Sequence, residues 1–214
     1  MPLNDPKPAR VWLRPGCVAM SCAALLILFV GFLVPFGSHS DYRGMETRAV
    51  NNAWEVIATL RTHQPSPFPA EASSNQILRT LFQCGYVEDE RIFSEWMSPY
   101  QPDNDIGEPP DFARALEPGE LHWCLFSETL DNPSGNAPVV FDNPIDGAWP
   151  PKWNAAAERR PLPGRLLKGG KVIVAMSDGS INFWQTTPQP DGTALADPSM
   201  LDLVPSKRFH DIER

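Results

Sequence analysis

From Cys17 to Phe36 the chain carries no charged side chain, and this stretch limits the possible folds more than any other feature. A helix of that length rises about 30 Å, the thickness of a bilayer's hydrocarbon core. Val18, Leu25, Leu26, Ile27, Leu28, Phe29, Val30, Phe32, Leu33, Val34 and Phe36 each favour insertion by roughly 0.3–0.6 kcal/mol, on the order of 3–6 kcal/mol in sum. A buried core helix keeps a polar stripe, and this segment has none. The sequence therefore predicts a transmembrane helix over 17–36. Pro35, just ahead of Gly37 and Ser38, fits a retained anchor better than a cleaved signal. Lys7, Arg10 and Arg14 precede the span while Arg43 and Arg48 follow it, so the positive-inside bias puts residues 1–16 in the cytoplasm and 37–214 outside.

That outer part is of ordinary single-domain size. A net charge of -8 with no basic stripe argues against nucleic acid as a partner. The 24 prolines are about twice the usual share and predict long irregular connections between few regular elements.

Between Met45 and Leu60, Ala49, Ala53, Val56, Ile57 and Leu60 recur at helical spacing, so the membrane helix is expected to extend toward an amphipathic one. Ser73 with Gln76 resembles a capping box for a second helix through Ile77, Leu78, Leu81 and Phe82, stopped at Gly85. The acids Glu88 to Glu90 read as the solvated start of a further turn that buries Ile92, Phe93 and Trp96. From Met97 to Glu120 nothing is periodic. Strand-like runs follow at His122–Phe126 and Pro138–Phe141. Lys171 to Met176 and Ile181 to Trp184, joined at Asp178-Gly179, form the clearest local signal, a β-hairpin with a two-residue turn. With Ser177 opposite Ser180, Val172, Val174, Met176, Ile181 and Phe183 share the face expected to meet the helices. The expected fold is α+β, with helices packed on an antiparallel sheet that ends in this hairpin.

Few residues carry chemistry. His39, His63, His122 and His210 are isolated, and no metal-ligand spacing, hydrolase elbow, phosphate loop or dinucleotide fingerprint is present. No catalytic residue, metal or cofactor is expected. Lys168-Gly169-Gly170-Lys171 precedes a strand, which argues against a phosphate cradle. Asp103, Asp105, Glu108 and Asp111 gather oxygen ligands in a loop that suits either calcium or a plain solvated turn. Cys84 and Cys124 are the two cysteines outside the span, either bonded, closing a loop of about 40 residues, or two buried free thiols. Trp149 and Trp153 suit core closure over proline-rich loops better than the alternative, an exposed recognition surface.

The runs Asn51 to Leu60, Ser74 to Phe82, Asp89 to Phe93, Leu116 to Trp123, Ser134 to Pro138, Trp149 to Trp153 and Gly169 to Ser180, in this order behind an apolar helix, resemble the type IV pilin-like proteins and the pseudopilins of type II secretion systems. The resemblance implies a non-enzymatic protein of the bacterial inner membrane, its C-terminal domain in the periplasm or outside the cell, with the lipid bilayer and other pilin-like or secretion-system subunits as partners. It makes Gly16 the candidate processing site. Where that family carries Glu at the fifth position after the cleavage point, this chain has Ser21, which predicts an N terminus left upstream of Gly16. The alternative from another class is a membrane-tethered extracytoplasmic binding module that does not form filaments.

Overall fold

The computed structural model describes residues 44–63, 68–126, 137–158 and 160–214. The expected span 17–36 and Gly16 lie outside them. Among the described residues no helix is long and apolar enough to cross a membrane.

Residues 45–214 form one compact unit. Helix α1 covers residues 44–63, and Ala49, Ala53, Val56, Ile57 and Leu60, the stripe expected from the sequence, are at most 1% exposed. Helix α2, Ser74–Gln83, opens as its sequence foretells. The Ser73 hydroxyl accepts from the Gln76 amide while the Gln76 side chain accepts from the Ser73 amide, so two orphan donors are satisfied at once. Past its end, Gly85 takes φ +72°, a conformation open to glycine at little cost. A short helix α3, Pro198–Leu201, lies near the C terminus.

The dominant element is a curled antiparallel sheet of seven strands. They are β1 (Trp123–Phe126), β2 (Pro138–Asp142), β3 (Lys152–Asn154), β4 (Lys171–Met176), β5 (Ile181–Pro188), β6 (Thr193–Ala196) and β7 (Phe209–His210), in the order β3-β6-β5-β4-β2-β1-β7. This corrects the expected architecture: the domain is mostly sheet with few helices, not helices packed on a sheet that ends in a hairpin. Three strands escaped the sequence reading. β5 is shared, pairing with β4 over Ile181–Gln185 and with β6 over Thr186–Pro188. β1 and β2 are buried along their whole length, and so is β4 after Lys171.

The β4–β5 hairpin exists, but its register differs by one residue from expectation. Met176 donates to the Ser180 carbonyl and Gly179 donates to the Met176 carbonyl, so Ser177, Asp178 and Gly179 make a three-residue loop with Gly179 at φ +89°. Val172 therefore faces Trp184, and Ile173 faces Phe183. A shift of one residue exchanges the faces of the whole strand. Trp184 is 1% exposed and meets Phe126 with ring centroids 5.9 Å apart. Phe183 is 39% exposed, with the Lys171 ammonium over its ring.

Trp153 is fully buried, edge-on to Phe141, and Trp149 packs against the core, so this pair closes the core as expected. Glu90 and Trp96 reverse expectation. The 3-10 turn Glu90–Phe93 buries Phe93 and Glu90 completely and leaves Trp96 62% exposed.

Candidate functional site

Polar side chains in a mostly apolar interior are the places where function or architecture has to be argued. Two such groups stand out.

The first is acidic and holds the irregular stretch after Met97. Glu90 accepts from the amides of Leu116 at 2.6 Å and Asn104 at 3.1 Å. Glu120 accepts from the amides of Glu117 at 2.7 Å and Asp103 at 3.1 Å. Each carboxylate thus takes two backbone donors from a loop that has no ladder to satisfy them. Together with Asp103 they bring three carboxylate oxygens within 4.8 Å of one another. Burial raises the Glu90 and Glu120 carboxyls above the usual range, and neighbouring carboxylates add to it in both cases. Hard oxygen donors suit calcium or magnesium. Each oxygen of Glu90 and Glu120 already has a backbone partner, so the trio is explained as a loop clamp.

The four acids expected to gather between Asp103 and Asp111 do not converge. Asp105 pairs with Arg114 at 2.6 Å, the Asp111 carbonyl accepts from Gln83, and Asp103 alone joins Glu90 and Glu120. Beside the clamp opens a cleft of about 370 Å³ lined by Glu88, Asp89, Glu90, Arg91, Asn104 and Ile106. The Arg91 guanidinium there is held by Asp89, whose carboxyl it draws below the usual range.

The second group is a buried chain with the residue types of an acyl-transfer triad. His122 Nδ1 lies 2.9 Å from Ser98 Oγ, and Nε2 lies 2.9 Å from Asp142 Oδ1. Asn143 decides the tautomer. Its Oδ1 accepts from the Gly164 amide, and its Nδ2 donates to the His122 carbonyl and reaches His122 Nδ1 at 2.9 Å. The amide orientation is thereby fixed, Nδ1 is an acceptor, and the proton sits on Nε2, aimed at Asp142. Asp142 Oδ2 accepts from the Ile173 amide at 2.6 Å. Catalysis by Ser98 also needs an open face for substrate, whereas Ser98, His122, Asp142 and Asn143 are each at most 4% exposed. The chain bolts the segment after Glu95 to the β1, β2 and β4 backbones. The buried Arg165–Glu95 pair at 2.6 Å adds a tie to the same segment.

No protein-family model, curated protein or solved structure matches this chain.

The remaining residues singled out from the sequence stay apart. Cys84 is exposed at the α2 C-cap and Cys124 is buried in β1, and both are free thiols. Burial and the nearby Asp211 carboxylate push the Cys124 thiol well up, which makes it unreactive. The Gly170 and Lys171 amides donate to the Leu167 carbonyl, so the Lys168–Lys171 loop is a turn. His63 stacks on Tyr86 at 3.6 Å. Sequence spacing held no sign of the Glu90–Glu120 clamp or of Ser98–His122–Asp142, because the partners are 20 to 30 residues apart and meet only in the folded chain.

Proposed function

We propose that this chain is a non-enzymatic, membrane-anchored extracytoplasmic protein with a structural or secretion-associated role. The observation that carries the proposal is that the carboxylates best suited to chemistry, Glu90, Glu120 and Asp142, all hold backbone amides, and that His122 and Asp142 are sealed from solvent. The uncharged segment 17–36 supports the anchor. The pilin-like form of this role draws on the sequence resemblance alone, because the mostly-sheet domain does not have the expected pilin architecture.

A second reading, a tethered binding module, is favoured by the acidic cleft over Glu88–Arg91. Extraction of the full chain from bacterial membranes separates the two. A structural or secretion subunit co-purifies with other membrane-anchored chains, whereas a binding module runs as a monomer. A monomer without partner chains overturns the first reading.

A further inference from the structure

His210 is 4% exposed, yet its Nε2 has no hydrogen-bond partner among the described residues. Its Nδ1 lies 2.7 Å from the Ala72 carbonyl. That contact places the proton on Nδ1 and leaves Nε2 bare inside the fold. The Phe68 ring meets the imidazole edge-on at 5.9 Å.

A second proton would therefore put a donor with nothing to donate to in a buried place. Burial, with the Arg208 charge of the same sign adding to it, holds the imidazole below its usual range. Of the other charged groups nearby, Glu71 on the segment before α2 faces Arg208 at 4.0 Å. Glu213 accepts from Ser73, and Asp211 is paired with Arg214. Leu125, opposite His210 on β1, is neutral.

The element that carries His210 is a two-residue strand at the edge of the sheet. β7 pairs with β1 through two residues, Phe209 and His210, and the Ser74 hydroxyl is inserted into that short ladder. Short edge strands open locally at far lower cost than a whole domain unfolds.

We propose that His210 is an acid-sensitive latch: protonation at Nε2 lifts β7 off β1 and uncovers the β1 edge at Leu125 and Phe126 while the rest of the sheet stays folded. The proton comes from solvent and is returned on closing.

The test is amide hydrogen exchange on the full chain at pH 7.5 and pH 5.0, corrected for intrinsic rates. In the parent, protection at Phe209–His210 falls by about tenfold or more at the lower pH, while Val172–Val174 of β4 keep theirs. His210→Asn keeps the donor to Ala72 and removes the titrating ring, so its protection is the same at both values. Unchanged protection in the parent, equal loss in β4, or equal loss in His210→Asn overturns the proposal. If His210→Asn does not fold, the parent's contrast between β7 and β4 decides alone.

Discussion

The Ser74 hydroxyl donates to the carbonyl oxygen of His210 at 2.6 Å while accepting from the Leu125 amide at 3.0 Å, so a helix side chain stands where a strand-to-strand bond would otherwise form. The Ser74 amide donates to the Asp211 carbonyl, and Asn75 accepts from the Glu213 amide. The first turn of α2 thereby serves as the partner of the C-terminal strand. Ser74→Ala strands a buried donor and a buried acceptor and should destabilise the domain by about 2–4 kcal/mol. Urea denaturation measures it, and a loss within about 0.5 kcal/mol of zero would mean that β7 re-pairs directly with β1.

His122 and Asp142 are hydrogen-bonded in the interior, so removing the imidazole strands a buried acceptor. His122→Phe should cost about 1–3 kcal/mol, because Asp142 Oδ1 loses its donor while Oδ2 still holds the Ile173 amide. Nitrogen NMR should show the His122 proton on Nε2. A proton on Nδ1 would contradict the orientation assigned to Asn143.

The clamp gives a pH signature of definite sign. A carboxyl raised in the folded state contributes stability that is fully present below its unfolded value near 4.5 and is lost as pH rises through the folded value. Burial is the main cause of the raise at Glu120, so removing its charge should help more at pH 7 than at pH 4.5. The stability of Glu120→Gln relative to the parent is therefore expected to increase across that range in urea titrations at fixed ionic strength. A difference that stays flat with pH would show that the amides of Asp103 and Glu117 offset the burial, and one that falls would show that they outweigh it.

At the hairpin, Gly179 sits at φ +89° and a Cβ there would stand 2.6 Å from the Arg61 guanidinium. The same guanidinium donates to the Asp178 carbonyl at 2.7 Å. Gly179→Val should destabilise by about 1–3 kcal/mol through backbone strain. Arg61→Ala removes only an exposed tie and should cost less than about 1 kcal/mol. Equal melting temperatures for Gly179→Val and the parent would place the hairpin outside the cooperative fold.

What the sequence disclosed was local. The Ser73–Gln76 box and the Ala49-to-Leu60 stripe each lie within one short segment and each is present, and the hairpin forms at Asp178-Gly179 with a three-residue loop in place of the expected two-residue turn. The hairpin register was out of reach because Asp-Gly suits both a two-residue turn and the three-residue loop that forms. β3, β6 and β7 have four residues or fewer, too short for alternation to show. Their pairing is set from afar, as where Trp153 meets Ala194. Glu90 looked solvated because an acid beside acids usually is, and what buries it is a pair of amides 14 and 26 residues away.

The central claim is a non-enzymatic domain held outside the membrane by the segment 17–36, and topology tests it most directly. Full-length chain expressed in bacteria is fractionated, and protease is added to the outer side of the inner membrane. The chain should sediment with membranes and lose the region after Ser38 to the protease. Intact chain in the soluble cytosolic fraction would contradict the account.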